Sequence, residues 1–184
     1  MASWHIITAL WLIWLLFWLV SAIDTKRTVR REGNWSVSVF LLFVVLYAAF
    51  ARVGGPLRHH LMPSPAWIAP TAVILCAIGL GFSIWARVVL GRNWSSTPTI
   101  KEGHELIQAG PYRLVRHPIY TGLLLAAFAS CLYSHRVMDA IIFAAVLLAL
   151  IPKMRTEERL MLEQFPEAYP EYMKRTKALI PFIL

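Results

Sequence analysis

Residues 4–23 contain no Asp, Glu, Lys or Arg, and this run limits what the chain can fold into more than any other feature. A helix rises about 1.5 Å per residue and the hydrocarbon core of a bilayer is about 30 Å thick, so about 20 apolar residues cross it. The run is longer than the apolar core of a secretory signal peptide, and no basic residue precedes it. The sequence therefore predicts a first transmembrane helix over residues 4–23.

Four more apolar runs follow, and polar or proline-rich borders set their lengths. They cover residues 36–51, 67–86, 119–133 and 137–151. The last two are separated only by residues 134–136, which predicts a tight helical hairpin, and Pro152 is expected to end the fifth span. With 58% hydrophobic and 15% charged residues, against about 25% charged in a soluble domain, the chain is predicted to be an all-α integral membrane protein of about five transmembrane helices.

The length of 184 residues is typical of one domain. We expect a single membrane domain over residues 1–184, with two spans in residues 1–66 and a catalytic core in residues 67–184. We expect a monomer or a weak dimer.

Two residue types with a possible special role are interpreted as structural. Trp4, Trp11 and Trp18 recur every seven residues, which favours lipid contact and helix packing over binding of a partner helix. Cys76 and Cys131 each lie inside an apolar run, at no spacing typical of a metal site. Neither a disulfide nor a metal site is predicted.

The net charge of +8 could indicate a nucleic-acid partner, but the positions of the basic residues explain it otherwise. Against the predicted spans, only Arg52, Arg58 and Arg136 fall on one side of the membrane, which leaves 15 of the 18 Lys and Arg residues on the other. Cytoplasmic loops carry the excess of Lys and Arg in membrane proteins. The sequence thus predicts a multi-pass protein of the inner (cytoplasmic) membrane with a cytoplasmic C-terminus, the lipid bilayer as its partner and no nucleic acid.

A first cluster of polar residues lies just before the fourth span, in residues 104–122. Pro118 restricts His117 to a non-helical conformation and suits the first turn of the span. His117 is therefore expected where the chain enters the membrane, with Tyr120 one turn deeper. The alternative is that the tyrosines are interfacial aromatics and the arginines are headgroup anchors.

A second cluster, residues 153–159, directly follows the fifth span. If the helix continues, Lys153 and Glu157 lie at i and i+4 on one face. A carboxylate so close to the hydrocarbon boundary is costly without a partner and is a functional candidate. Lys153 and Arg155 have head groups that can reach a substrate lodged between helices, so we predict that they orient an anionic group on it. The alternative is a solvated, salt-bridged helix face.

Together the two clusters resemble a known family. The run GPYRLVRHPIYTG at residues 110–122 is followed by Glu157-Glu158, Phe165, Tyr169, Tyr172 and Ile180-Pro181. This pattern is similar to the isoprenylcysteine carboxyl methyltransferase family, which is related to the phospholipid N-methyltransferases. The resemblance covers about residues 85–184, whereas the two N-terminal spans carry no such signature.

The resemblance implies an integral membrane methyltransferase that uses S-adenosylmethionine and releases S-adenosylhomocysteine, with a cytoplasmic cofactor pocket under a helical lid. Lys153 falls where the family has a basic residue that engages a substrate carboxylate, and Thr97 falls where its eukaryotic members have a cofactor-binding glutamine. The cofactor-binding residues that the resemblance implies are His104, Glu105, Leu106, Ile107, Tyr112, His117, Pro118, Ile119, Tyr120 and Glu157, with Glu158 as the adjacent candidate.

The chemistry of these residue types agrees with that cofactor. A glutamate can accept hydrogen bonds from the cofactor's ammonium or ribose diol, and Tyr or His rings can face its sulfonium. Methyl transfer is an in-line displacement, so alignment and desolvation supply most of the catalysis. The expected acceptor is a small or lipid-like carboxylate, thiol or amine at the cytoplasmic leaflet. Two alternatives are a sterol-reductase-like membrane oxidoreductase that uses a nicotinamide cofactor and a non-catalytic membrane protein.

The charge distribution gives a direct test of topology. A reporter that fluoresces only in the cytoplasm, fused after Leu184, should be bright because the basic loops and the C-terminus stay on the cytoplasmic side. The same reporter fused before residue 4 is the control and should be dark. A dark C-terminal fusion at full expression would refute the orientation.

Overall fold

The computed structural model describes residues 2–31 and 65–181. Within these ranges the chain forms five α-helices and two short strands: α1 (Ala2–Ser21), β1 (Thr28–Arg31), α2 (Ile68–Leu90), β2 (Thr99–Lys101), α3 (Pro118–Ser134), α4 (Val137–Gln164) and α5 (Ala168–Arg175). The predicted second span, residues 36–51, lies outside the described residues.

The predicted helical membrane fold is confirmed. Helices α1, α2 and α4 are long and apolar enough to cross a bilayer. Helix α3 is apolar but has only 17 residues, or about 26 Å at 1.5 Å per residue, a shortfall that local thinning of the bilayer can accommodate. The outward face of α1 exposes large apolar side chains, among them Leu12, Leu16 and Val20. Such a surface is stable against lipid and would aggregate in water.

Helices α2 and α3 pack against each other through small residues. A Cβ atom added at Gly79 would lie 2.6 Å from the carbonyl oxygen of Gly122 and 2.7 Å from the backbone nitrogen of Ala126. Only glycine permits this approach of the two backbones, which is how membrane helices gain van der Waals contact where lipid gives no hydrophobic drive for association.

Helix α1 lies against both of these helices. Its buried Ile7 packs in a cluster with Cys76 and Leu80 of α2 and Ala129 of α3. The indole N–H of Trp11 donates a hydrogen bond to Ser130 Oγ at 3.1 Å. Trp11 therefore has the helix-packing role that the sequence favours.

Pro152 does not end the fifth apolar helix, so that prediction is wrong. Helix α4 runs without interruption through Pro152 to Gln164. A proline removes one hydrogen bond and crowds the preceding turn, which bends a helix without necessarily ending it. Lys153 and Glu157 consequently lie one turn apart on a single helix. The predicted hairpin is present, because only His135 and Arg136 separate α3 from α4.

The two-stranded sheet was not predicted. Strand β1 pairs antiparallel with β2, with Thr28 opposite Lys101 and Arg31 opposite Thr99. The buried Lys101 donates from Nζ to Thr28 Oγ1 at 3.1 Å. Strands of four and three residues, with one apolar residue each, are too short to show an apolar alternation, so periodicity does not reveal them. The sheet fixes the segment after α1 to the segment after α2.

The glycine contact predicts an asymmetric response to substitution. Gly79→Ala should lower stability by about 1–3 kcal/mol, since the added methyl overpacks two backbones. Gly81→Ala, on the same helix with nothing within 4 Å of the added Cβ, is the matched control and should be neutral or slightly stabilising. Thermal unfolding in detergent measures both. Equal midpoints for the two variants would contradict the close α2–α3 contact.

Candidate active site

A cavity of about 350 Å³ lies between the helices beside the segment that links α2 to α3. Its volume is at the lower end of the range of about 300–1,000 Å³ for small-molecule sites. The residues predicted from the sequence that line it are His104, Glu105, Leu106, Ile107, Tyr112, His117, Pro118, Ile119, Tyr120, Lys153 and Glu157. Glu158 and Arg155 do not line it.

His117 connects the two sequence clusters. It directly precedes α3, with Pro118 as the first helical residue, and its ring is buried. Its Nδ1 lies 3.5 Å from Glu157 Oε2 and its Nε2 lies 3.3 Å from Glu158 Oε1. Burial alone would lower the pKa of His117, but the hydrogen bonds and charges of the two glutamates outweigh it and raise that pKa above the usual value. The two carboxylates therefore stabilise the imidazolium form of the ring.

Glu157 presents its carboxylate to the cavity. The phenol of Tyr120 donates to Glu157 Oε1 at 2.6 Å, and the Tyr120 ring stacks on His117 with centroids 5.6 Å apart. The Glu157 side chain keeps 23% of its surface exposed. A carboxylate oxygen accepts more than one hydrogen bond, so Glu157 retains capacity for a donor on a bound ligand.

Glu158 faces away from the cavity and has a different set of partners. Arg116 Nε donates to Glu158 Oε1 at 2.7 Å, and the same oxygen faces His117. Arg116 also donates to the carbonyl of Thr176. Because Glu158 points into this ion-paired cluster, the prediction that it contacts the cofactor has no support from its position. It fixes His117 instead.

The C-terminal segment closes one side of the cavity. The backbone N–H groups of Arg116 and His117 donate to the carbonyls of Lys177 and Ala178 at 2.8 and 3.0 Å. This pairing holds α5 in place, where Tyr172 donates its hydroxyl to the Tyr112 carbonyl at 2.6 Å. Burial raises the pKa of Tyr172 to about 12 and that of Tyr112 well above its usual range, so both phenols remain neutral donors.

Lys153 and Arg155 have different positions relative to the cavity. Lys153 lines it, with Nζ donating to the Ser96 carbonyl at 3.0 Å and lying 5.3 Å from the centre of the Tyr120 ring. Arg155 is exposed on another face of α4, because two residues along a helix turn the side chain through about 200°. Of the two residues predicted to orient the acceptor, only Lys153 lines the cavity, and its role there stays a prediction.

His104 borders the cavity as a neutral ring. Burial, followed by the nearby charges of Lys26 and Lys101, lowers the pKa of His104. Its Nδ1 accepts a hydrogen bond from the backbone N–H of Lys101 at 3.2 Å. The proton of the neutral ring is therefore on Nε2, which makes His104 a hydrogen-bond donor to anything bound beside it.

Several other residues line the cavity besides the predicted site residues. They lie on all five helices and in the segment that links α2 to α3: Trp14, Trp18, Leu90, Asn93, Trp94, residues 95–99, Arg116, Leu123, Met161, Tyr169 and Tyr172. Of these, Thr97 was noted in the sequence only as the position of the family's glutamine. Tyr169 and Tyr172 could have been predicted, because both belong to the sequence pattern that carries the family resemblance. For Trp18 the seven-residue spacing was visible, but it is equally typical of lipid contact.

The fold and the site together define a class: a multi-pass helical membrane protein with a small-molecule-sized pocket that is mostly apolar and carries a few polar side chains. Residues 67–168, more than half of the chain, match the family described as phospholipid methyltransferase. The chain belongs to the phospholipid methyltransferase family.

Curated relatives agree with the resemblance seen in the sequence. Protein-S-isoprenylcysteine O-methyltransferase A of Arabidopsis thaliana is 28% identical over 182 residues, covering 94% of this chain and 91% of the relative. The cobalt-zinc-cadmium resistance protein CzcN of Cupriavidus metallidurans is 28% identical over 165 residues, covering 89% of this chain and 69% of the relative. The chain is thus similar to the isoprenylcysteine methyltransferases over nearly its whole length, and the predicted family is confirmed.

A solved structure has the same fold. The eukaryotic intramembrane Ras methyltransferase ICMT superposes with a TM-score of 0.58 at 20% sequence identity, over 81% of this chain. The chain spans about half of that structure, since 51% of its length is covered. The helical architecture is shared, and the larger protein contains further parts.

The charge on His117 predicts how stability depends on pH. Because its pKa is raised in the folded protein, its contribution is fully present below the unfolded value of about 6.5 and is lost as pH rises through the folded-state pKa. The thermal midpoint should therefore fall over that interval in the wild type, and His117→Gln should remove this part of the slope. His5→Gln, on the exposed side of α1, is the control. Identical profiles for the wild type and His117→Gln would contradict the imidazolium assignment.

Proposed function

We propose that this protein transfers a methyl group from S-adenosylmethionine to a small or lipid-like acceptor at the cytoplasmic leaflet. The observation that carries the proposal is the arrangement of Glu157, His117 and Tyr120 on the wall of one cavity at the membrane boundary. Membership of a methyltransferase family supports the same reaction. The proposed orientation, with the C-terminus in the cytoplasm, gives the cavity access to a cytosolic cofactor.

The donor set of the cavity fits the cofactor's functional groups. Glu157 would accept from its ammonium or ribose hydroxyls, and the neutral His104 would donate from Nε2. The aromatic face of Tyr112 suits a sulfonium, whereas Lys153 already lies beside the Tyr120 ring. The bound cofactor supplies an electrophilic methyl group, and the protein's own contribution is to align the reactants and exclude water.

The hydrogen bonding of His117 and His104 restricts which methyl acceptors can react. An alkylammonium must lose a proton before it can attack, whereas a carboxylate or thiolate is nucleophilic at neutral pH. Neither histidine on the described cavity wall is available as a base, because both ring nitrogens of His117 face glutamate carboxylates and Nδ1 of His104 already accepts the Lys101 N–H. We therefore propose an acceptor that is anionic when it reacts. The O-methyltransferase names of the relatives agree with a carboxylate.

Lys153 is the proposed partner of that anion. Its ammonium reaches the cavity beside Tyr120, and its contact with a backbone carbonyl leaves two of its three N–H donors for other acceptors. A point charge orients a carboxylate less strictly than a guanidinium would. The proposed contact would therefore allow acceptors of more than one shape.

The two other functional classes make different binding predictions. A reductase would bind a nicotinamide cofactor in the cavity, and a non-catalytic protein would bind neither. Titration of the purified protein with S-adenosylhomocysteine and, separately, with NADPH distinguishes the three. The proposal expects saturable binding of S-adenosylhomocysteine only; saturable binding of NADPH alone would overturn it.

Glu157 is the residue whose loss should most affect cofactor binding. Glu157→Gln keeps an acceptor for the Tyr120 hydroxyl but removes the charge, so S-adenosylhomocysteine affinity should fall roughly tenfold or more, as expected for a charge-assisted hydrogen bond of about 1.5–3 kcal/mol. Glu163→Gln on the same helix removes a carboxylate that pairs with Arg30 outside the cavity and is the matched control. Calorimetric titration in detergent measures both. Equal affinities would refute the role of Glu157.

Lys153 and Arg155 form a second matched pair. Lys153→Ala should lower kcat/KM for the acceptor about tenfold, or about 1.4 kcal/mol, with cofactor affinity nearly unchanged. Arg155→Ala should leave both parameters near the wild-type values, because its side chain is exposed outside the cavity. The measurement follows methyl incorporation into the acceptor-containing membrane fraction. A larger loss in the Arg155 variant would reverse the assignment.

A further inference from the structure

Three tryptophans form one continuous side of the cavity, which we name the tryptophan wall: Trp14 and Trp18 of α1, and Trp94. The rings of Trp14 and Trp18 are stacked, with centroids 4.7 Å apart and planes at 24°. Trp94 meets Trp18 edge to face at 5.5 Å and 90°. Such offset and perpendicular contacts are the favourable arrangements for aromatic pairs.

The tryptophan wall is held rigid by polar contacts behind it. The indole N–H of Trp14 donates to Ser83 Oγ at 2.8 Å, and Ser83 is fully buried on α2. The buried guanidinium of Arg87 lies 4.8 Å from the centre of the Trp94 ring and donates to the carbonyl of Ser21 at the end of α1. A preformed aromatic surface loses little entropy when a ligand binds, which makes it suited to recognition.

Trp14 extends the wall into the apolar part of the helix bundle, whereas Trp94 lies in the segment that follows α2. Trp14 is seven residues before Ser21, where α1 ends, or about 10 Å along the helix axis. Its apolar neighbour in the lining, Leu123, is one turn deeper in α3 than Tyr120. The polar lining residues, Glu157 and His104, belong to the segments that leave the apolar spans. A polar cofactor suits that end, and the apolar part of an amphiphile suits the tryptophan wall.

The charges near the wall restrict its ligand further. Arg87 already lies over Trp94, and Lys153 lies over the neighbouring Tyr120 ring. A second cation on these faces would meet like charge at close range, which disfavours an ammonium headgroup there. An uncharged apolar group joined to an anionic reacting end fits both features.

We infer that the tryptophan wall binds the apolar part of the methyl acceptor, so that α1 determines acceptor specificity; this inference rests on the proposed function. Residues 2–21 lie outside the region 67–168 that matches the family. Helices α2, α3 and α4 lie within that region, so the surface proposed to select the acceptor comes in part from a helix outside it.

Photolabelling tests the inference. The full-length protein in phosphatidylcholine nanodiscs is irradiated with a decanoic acid that carries a phenyl-diazirine at its far end, and labelled peptides are mapped by mass spectrometry. Saturable labelling is expected on the Trp14 and Trp18 face of α1 and should be competed by unlabelled decanoate, but not by decyltrimethylammonium. Leu12 and Leu16, on the exposed face, supply the internal control, because labelling from bulk lipid there is not saturable.

Two substitutions separate acceptor binding from cofactor binding. Trp18→Leu, which leaves the Trp14–Ser83 bond in place, should reduce saturable labelling about tenfold, as for a central aromatic anchor, with S-adenosylhomocysteine affinity unchanged. Trp14→Leu is the second variant and should behave alike. Trp4→Leu, at the other end of α1 where Trp4 stacks on Tyr133, is the matched control and should label normally.

Four results would overturn the inference. Labelling confined to the exposed face of α1 would show that the probe does not reach the wall. Parallel loss of labelling and of S-adenosylhomocysteine binding in both variants would assign the wall to the cofactor. If the wild type binds S-adenosylhomocysteine without saturable labelling, the wall inference fails alone, whereas a wild type that binds no S-adenosylhomocysteine refutes the proposed function and the inference with it.

Discussion

His117 makes the interaction on which the rest of the site depends, because its imidazolium lies between the carboxylates of Glu157 and Glu158. Two adjacent glutamates on one helix at the edge of a bilayer repel each other, and each is costly to bury without a partner. One shared cation offsets both costs and fixes the start of α3 against the middle of α4. Glu158 is then neutralised behind the ring by Arg116, which leaves Glu157 as the carboxylate that faces the cavity.

The same cluster couples the pocket to the end of the chain. Arg116 donates to the carbonyl of Thr176, and the backbone of residues 116–117 pairs with that of residues 177–178. These contacts hold α5 over the cavity, where Tyr172 reaches the Tyr112 carbonyl. A helix of eight residues is too short to be stable alone, so its position depends on this pairing. The charge cluster and the closure of the pocket are therefore one structural unit.

Much of this unit could be predicted from the sequence, and the reasons are local. Pro118 fixes where α3 begins, which places His117 at the boundary and Tyr120 one turn inside. The prediction that Pro152 ends its helix was wrong, because a proline bends a helix at the cost of one hydrogen bond and the helix continued on both sides. Trp18 could not be assigned to the cavity, since the seven-residue spacing fits lipid contact equally well, and Trp14 lies outside that spacing; only the packing of α1 on α2 turns both inward. The two strands are too short to give a periodic signal.

Methyl transfer itself is the most direct test of the account. Membranes from cells that express the protein are incubated with S-adenosylmethionine labelled in its methyl group, beside membranes that hold an equal amount of the Glu157→Gln protein. We expect that label enters a lipid or protein fraction much faster with the wild type, and that mild base releases it as methanol, since an ester forms when a carboxylate is the acceptor. Equal incorporation in both membranes, or none in either with folded protein present, would contradict it.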